Sequence, residues 1–325
     1  MTNLVILDST TVNPGDLSWD RIKSTVDNTT IYDRTPENLI VERAKDAELI
    51  MVKHTEITKS IIDSLPKLRY IGILTTGYDV VDVDYAETKG IVVTNIPEYS
   101  RDAVAQYAMA LLLEVCSHVG HHDDVVRTEK WRKNPDWTHW DFPLIELDGK
   151  IMGIIGYGAI GHTTGLIAKA FGMKVKAFNS DFPPYHPEDI QDIVSFEDLI
   201  TTAHVISLHV PLTSETEGYI NKDLIARMRD KVIIINTARG ALIVEQDLAD
   251  ALNSGKVWAA GLDVLIDEPP KPDNPLLSAK NCVITPHLAF SHMEARMRLM
   301  DIDAENVKTF LDGKPQNVIK PYDAN

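Results

Sequence analysis

Residues 156–161 read Gly-Tyr-Gly-Ala-Ile-Gly, a G-x-G-x-x-G spacing in which each glycine has its own task. Gly156 permits a tight turn, Gly158 lets backbone approach a pyrophosphate, and Gly161 lets a helix lie close on a strand. Other groups capable of chemistry end apolar runs further along. They are His209-Val210-Pro211-Leu212-Thr213, Asn236-Thr237-Ala238-Arg239-Gly240, Asp263 with Glu268-Pro269-Pro270, and Thr285-Pro286-His287. Together they offer a permanent cation, carboxylates and an imidazole, the means to hold an anion and to move a proton.

Such residues need elements that bring them together. Short apolar, β-branched runs occur at residues 4–7, 49–52, 70–74 and 91–94, then at 151–155, 175–178, 205–208, 232–236, 259–265 and 282–284. Continuous apolar runs of this length suit parallel strands buried on both faces, and helical patterns lie between them. Thr35-Pro36-Glu37 marks one helix start. The alternation predicts α/β layers. The glycine loop follows one strand and opens a helix whose inner face carries Ile160, Thr164, Ile167, Ala168 and Phe171. That helix start offers free N–H groups to an anion. In an open parallel sheet the carboxyl ends of the strands border one crevice, so Arg239, Glu268 and His287 can meet although distant in sequence. The predicted dinucleotide contacts are Gly156, Gly158, Ala159, Ile160, Gly161, His209, Pro211, Thr213, Thr237, Ala238 and Ala289. Asn179, 18 residues past Gly161, stands where an acid would hold the adenosine ribose. No arginine follows it, and Asp181 would repel a 2′-phosphate, so NAD is expected ahead of NADP.

The chain has 325 residues, room for about two domains. Its 48 acidic and 32 basic residues give a net charge of −16, which disfavours nucleic acid and anionic membrane as partners. The opening MTNLVILDST is too short for a signal-peptide core, and no run approaches a membrane span. Cys116 and Cys282 fit reduced core residues, and a cytoplasmic location is expected. A helical pattern covers about 102–120, followed by a segment, 131–140, with three of the five tryptophans. The residues Cys116, His118, His121, His122, Asp123 and Asp124 read as a solvated helix end without metal, with Gly120 breaking the helix. His162 is expected on a helix surface. A last helix, about 293–311, is expected to return to the first domain. The predicted division is therefore 102–289 as a dinucleotide-binding domain inserted between 1–101 and 290–325, the substrate domain.

The segments TTGYDVVD, NIPEYS, GYGAIG, HVPLTSETEGYI, NTARGALI, GLDVLIDEPP and ITPHLA occur in this order over nearly the whole chain. With them the sequence resembles the D-isomer-specific 2-hydroxyacid dehydrogenase family. WTHWDFPLIELDGKIMGIIGYG and the HLAF–EAR ending resemble its glycerate dehydrogenase (hydroxypyruvate reductase) group. The resemblance implies a Rossmann-type doubly wound sheet inserted in a smaller flavodoxin-like α/β domain. It implies that Arg239 binds a substrate carboxylate together with main-chain amides at Thr76 and Gly77, and that Glu268 supports His287 as the acid–base. It sets Asp263 near the nicotinamide carboxamide and the tryptophan segment against a second subunit of a homodimer. The implied reaction interconverts a small 2-oxo acid and its D-2-hydroxy acid, hydroxypyruvate and D-glycerate first. A D-lactate dehydrogenase and a nicotinamide-sensing corepressor are the alternatives.

Overall fold

The computed structural model describes residues 1–179 and 193–320, so Asp181 lies outside the described residues. The chain forms two compact units, Met1–Ser100 with Ser291–Asn325, and Arg101–Phe290.

The first unit is built on five parallel strands. They are β1 (Asn3–Ile6), β2 (Asn28–Ile31), β3 (Leu49–Val52), β4 (Tyr70–Ile73) and β5 (Val92–Thr94). Their order, β2-β1-β3-β4-β5, is that of flavodoxin-like sheets. Ile50, Val52, Ile71, Ile73 and Val93 point to one face and form a buried cluster with helix residues such as Ile61 and Ala86. The opposite face is covered by the helix Met293–Leu311, whose Phe310 ring lies 4.8 Å from that of Tyr70. This helix is tied back to the start of the chain. Arg296 donates to both oxygens of Asp16, at 2.7 and 2.6 Å, and Asn306 donates to the Asn95 carbonyl at 3.0 Å. Strand β2 was not expected. Its sequence, Asn-Thr-Thr-Ile, buries little because it forms the sheet edge.

The second unit holds six parallel strands. They are β6 (Ile151–Ile155), β7 (Lys174–Phe178), β8 (Val205–Leu208), β9 (Val232–Asn236), β10 (Val257–Leu262) and β11 (Cys282–Ile284), in the order β11-β10-β9-β8-β6-β7. Ile193 adds a parallel bridge to Ala177 beyond β7. With that bridge the order becomes third, second, first, fourth and onward, the doubly wound Rossmann arrangement. The order reverses between β6 and β8, whose ends are in register at Ile155 and Leu208.

Several local expectations need correction. The helix expected to run to 120 is Arg101–Ser117, and the break falls at His118 with φ of 48°. Gly120 lies inside the next helix, Val119–Arg127, and Ile145 N–H caps the Cys116 carbonyl at 3.0 Å. The strand expected at 259–265 spans Val257–Leu262, because the main chain turns away at Asp263. Phe171 is exposed, since the helix Ala159–Ala170 ends before it. His162 is buried, its ring edge-on to Tyr157 at 5.5 Å.

One interior group carries a stability consequence. Asp303 is fully buried beside Gly72, and neither carboxyl oxygen has a hydrogen-bond partner among the described residues. Burial pushes its pKa from the ordinary 3.8 up to about 8. Between those values the folded chain keeps a proton that the unfolded chain has released. The unfolded state then binds fewer protons, so this group lowers stability as pH rises from about 4 to about 8. Asp303→Asn should flatten that stretch of the melting-temperature profile, as followed by calorimetry; an unchanged slope would contradict the assignment.

Candidate active site

The glycine turn follows β6 directly. Gly156 has φ of 93°, in the left-handed region, and a Cβ there would lie 2.6 Å from the His209 carbonyl. The turn and the end of β8 are therefore in contact at the point where strand order reverses. At Gly161 a Cβ would lie 2.1 Å from the Gly156 oxygen, so only glycine lets the helix Ala159–Ala170 begin here. Gly158 differs: a Cβ on it would meet nothing within 4 Å. The space beside Gly158, at the helix N-terminus, suits a pyrophosphate. Ala159 and Ile160 are half-buried in the first turn of that helix. Asn179 follows β7, and its Oδ1 accepts from the Tyr157 N–H at 2.8 Å. Its carbonyl thus holds the glycine turn, which leaves the amide NH₂ as the donor for a ribose hydroxyl.

The remaining expected cofactor contacts cluster at the carboxyl ends of β8 and β9. His209 Nε2 lies 2.9 Å from the Ser207 hydroxyl, and burial pulls its imidazole down to about 4, so the ring is neutral at neutral pH. Pro211 and Thr213 are exposed in a turn pinned by Thr216, whose hydroxyl donates to the Pro211 carbonyl at 2.7 Å. Thr237 Oγ1 is buried with no hydrogen-bond partner among the described residues, a polar atom suited to a bound group. The open Gly158 and the unpartnered Thr237 hydroxyl both fit a dinucleotide.

Asn236, fully buried at the end of β9, brackets the next turn. Its Oδ1 accepts from Ala238 N–H at 3.0 Å and its Nδ2 donates to the Arg239 carbonyl at 2.8 Å. Arg239 follows, half-buried, its Nη1 donating to the Ala238 carbonyl at 2.9 Å. At Gly240 a Cβ would lie 2.0 Å from the Leu265 carbonyl carbon. This close approach sets the Arg239 turn against the 263–268 loop.

That loop and the segment after β11 carry the acid–base pair. Glu268 Oε2 lies 2.7 Å from His287 Nδ1, while Glu268 Oε1 accepts from Leu265 N–H at 3.1 Å. A carboxylate at Nδ1 fixes the tautomer with the proton on Nδ1 and presents Nε2. His287 has φ of 55°, a left-handed conformation that disfavours side chains. Asp263 holds it there. Its buried carboxylate accepts from the Thr285 hydroxyl at 2.6 Å, Leu288 N–H at 2.8 Å and Ala289 N–H at 2.7 Å. Burial raises the Asp263 pKa, opposed by these three hydrogen bonds. Because all three partners are donors, the group acts as a carboxylate. Asp263, expected near the nicotinamide carboxamide, and Ala289, an expected dinucleotide contact, are joined by one of these bonds in the support of the His287 turn.

Sequence reasoning singled out the Asn236 segment without assigning Asn236 a role, and it missed Glu245. Glu245 accepts from Ile266 N–H at 2.9 Å and Asn274 Nδ2 at 2.8 Å, and so pins the loop around Glu268. A polar residue closing the apolar run Val-Ile-Ile-Ile-Asn was the available signal for Asn236. Thr76 and Gly77 lie in the first unit, just past β4. Thr76 Oγ1 donates to the Ile96 carbonyl at 2.8 Å, and Asn95 Nδ2 to the Thr76 carbonyl at 2.7 Å. His121 and His139 share the Asp141 carboxylate with Lys130.

A glycine turn at the switch point of a parallel sheet, with a carboxylate-backed histidine at the same edge, defines a dinucleotide-dependent oxidoreductase. The profile described as D-isomer specific 2-hydroxyacid dehydrogenase, NAD binding domain, matches residues 109–289. A hydroxypyruvate reductase of Blautia hydrogenotrophica is 51% identical over 319 residues, 97% of this chain and 99% of that protein. A glycerate dehydrogenase of Methylorubrum extorquens is 38% identical over 288 residues, 88% and 89% of the two chains. An acyclic imino acid reductase solved with NADPH and D-Arg superposes with a TM-score of 0.86 at 33% identity, covering 98% of this chain and 100% of that one. The chain belongs to the D-isomer specific 2-hydroxyacid dehydrogenase family. It is an oxidoreductase of small 2-hydroxy and 2-oxo acids that uses a nicotinamide cofactor.

The two glycines separate binding from folding. Gly161→Ala forces a 2.1 Å contact and should lower both the melting temperature and NADH affinity. Gly158→Ala should leave the melting temperature within about 1 °C and weaken NADH at least about tenfold, in the range of a lost charge-assisted hydrogen bond. Fluorescence titration beside calorimetry tests this; equal effects of the two variants would refute it.

Proposed function

We propose that the protein reduces hydroxypyruvate to D-glycerate with NADH, and runs the reverse oxidation with NAD. The observation that carries the mechanism is the Glu268–His287 pair at 2.7 Å, on a turn adjoining that of Arg239. The near full-length likeness to a hydroxypyruvate reductase supports the choice of substrate.

Bound NADH supplies the hydride that reduces the carbonyl carbon of the 2-oxo acid. The chain's own residues do the rest. Arg239 takes the substrate carboxylate in a two-pronged hydrogen bond, which also orients the neighbouring carbonyl. The Thr76 and Gly77 amides assist in holding that carboxylate. As hydride arrives, negative charge develops on the carbonyl oxygen, and His287 transfers its Nε2 proton there. Glu268 steadies the imidazolium beforehand and holds the ring's orientation afterwards. In the oxidation the neutral imidazole removes the hydroxyl proton through Nε2.

NAD is the preferred cofactor in this reading. Residues 180–192 contain no lysine or arginine but include Asp181, Glu188, Asp189 and Asp192. With Asp181 two residues past Asn179 in sequence, a 2′-phosphate is disfavoured. The first unit serves as the substrate domain. A second copy of the chain covers the tryptophan segment: Trp137 and Trp140 are 88% and 63% exposed, and Val126 and Trp131 line one surface groove with Trp137. Isolated exposed apolar residues are ordinary, whereas a cluster of large aromatics marks an interface. In this reading the protein works in the cytoplasm without a membrane or nucleic acid partner, as its net charge of −16 favours. No single described helix is long and apolar enough to cross a membrane. Burial lifts the free Cys116 and Cys282 thiols to about 11 and about 12, which keeps them protonated and unreactive.

His287→Ala should cut reduction of hydroxypyruvate by about 10²–10⁴-fold, the usual worth of a general acid, with NADH affinity retained. Arg239→Ala should lower kcat/KM by about thirty-fold or more, the cost of truncating one member of a charge pair. Steady-state rates with hydroxypyruvate, glyoxylate and pyruvate, each with NADH and NADPH, test the whole reading. Near-normal single-turnover hydride transfer in His287→Ala would overturn it. Absence of turnover with every 2-oxo acid would favour the corepressor alternative.

Trp137→Ala combined with Trp140→Ala should move the protein from dimer toward monomer in sedimentation equilibrium at micromolar concentration. An unaltered protein that sediments as a monomer there would refute the dimer.

A further inference from the structure

Phe290 closes the segment that carries the acid–base histidine, and its place there is not that of a core residue. It is half-buried, and among the described residues it joins neither buried apolar cluster of the second unit. Its ring stands against the His287 imidazole. The two ring centroids are 5.7 Å apart and the ring planes cross at 82°, the edge-on geometry that aromatic pairs prefer. Both residues belong to the second unit.

The main chain brings the two rings together. His287 turns the chain in a left-handed conformation, with φ of 55°, and its own N–H donates to the Asp263 carbonyl at 2.9 Å. The Asp263 carboxylate then takes the N–H groups of Leu288 and Ala289. Three consecutive main-chain donors are thus fixed by one residue. The next residue is Phe290, and its ring lies back on the side chain of His287.

The imidazole gains from such a neighbour. Glu268 holds it at one atom, Nδ1, at 2.7 Å. A single hydrogen bond tolerates tilting, and the torsion that sets the plane of a histidine ring has broad wells. The carboxylate therefore fixes where Nδ1 lies and leaves the plane of the ring, and with it the direction of Nε2, less defined. A second ring standing across the imidazole removes that freedom and offers no competing proton acceptor. The His287 side chain stays 30% exposed, so the contact braces the ring without enclosing it.

We propose that Phe290 is a positioning residue whose ring fixes the plane of the His287 imidazole, so that Nε2 points along the path of proton transfer. The proposal rests on the 2-oxo acid reductase reading above. Glu268 and Phe290 divide the work: the carboxylate sets tautomer and charge, and the aromatic ring sets the tilt. A tilted imidazole slows proton transfer to the substrate oxygen. It leaves binding nearly intact, because Arg239 holds the substrate carboxylate and the glycine turn holds the dinucleotide.

The test follows a single turnover. The rate of NADH oxidation at saturating hydroxypyruvate, its solvent deuterium isotope effect, the half-saturating hydroxypyruvate concentration and NADH affinity are measured. The proteins are the unaltered chain, Phe290→Leu and Phe290→Tyr. Leucine keeps apolar bulk without a flat ring, and Phe290→Met serves if the leucine variant does not fold. Phe290→Leu should slow the turnover about tenfold or more, with half-saturation and NADH affinity moved less than about twofold. Its isotope effect should exceed that of the unaltered protein, because proton transfer becomes the slower event. Phe290→Tyr, which keeps the ring, should recover most of the rate. A residue that only fills space would leave the isotope effect unchanged and make tyrosine no better than leucine; that result overturns the proposal. So does a raised half-saturation at an unchanged rate, which would make Phe290 a substrate contact. If the unaltered protein reduces hydroxypyruvate and the variants do not separate in this way, this inference alone fails. If it reduces no 2-oxo acid, the functional reading fails, and the inference falls with it.

Discussion

Asp263 carries a negative charge where water does not reach it, and the segment after β11 is shaped around that charge. Three donors from residues 285–289 answer it. A left-handed residue costs about 1–2 kcal/mol, and each hydrogen bond to a charged group returns about 1.5–3 kcal/mol. The balance favours the turn, so His287 holds a backbone conformation that its side chain alone would avoid. The influence of Asp263 reaches further. Its own N–H donates to the Asn236 carbonyl at 2.9 Å, and Asn236 brackets the turn that ends in Arg239. A cation and an imidazole, 48 residues apart, are thus held through two adjacent buried polar residues.

The sheet elements were legible because burial on both faces writes itself into sequence. Strands β3, β6, β8, β9 and β11 coincide with their apolar runs to the residue. Edge strand β2 was not legible, since Asn-Thr-Thr-Ile answers to one partner strand and to solvent. The tight packing of the glycine turn was legible: Gly156 and Gly161 are excluded from carrying a Cβ by contacts under 3 Å. His287 and Glu268 were found from residue type, position after strands and resemblance. What sequence could not convey was support. Nothing local distinguishes Glu245 from the other acids of an amphipathic helix until the loop at 266–274 folds over it. His162 escaped for a similar reason, because a polar residue after Gly161 reads as solvated until Tyr157 is seen to close over it.

The excess of 16 negative charges has little authority over the candidate site. Charges beyond about 8–10 Å are screened at physiological salt, so a small anion responds to its immediate neighbours. In the second unit those are the N-terminus of the helix Ala159–Ala170, equivalent to about half a positive charge, and the Arg239 guanidinium. The same surplus, distributed over the rest of the surface, discourages large anions that must touch many places at once.

Both units solve one problem in the same way. At the carboxyl edge of a parallel sheet the chain leaves each strand, and the main-chain N–H groups just beyond have no ladder partner. In the first unit Asp8, past the end of β1, gathers three such N–H groups from residues 53–55, past the end of the neighbouring β3. In the second unit Asp263, past the end of β10, gathers those of Leu288 and Ala289, past the end of the neighbouring β11. Each carboxylate also takes a threonine hydroxyl, from Thr55 and Thr285. An acid in this position does what no apolar residue can. It satisfies several buried donors at once and fixes the next loop with charge-assisted bonds, in directions that depend on where the oxygens point. The loop so fixed in the second unit is the one that presents His287. In the second unit, rigid presentation of His287 and satisfaction of the edge's orphaned N–H groups are the work of a single buried carboxylate.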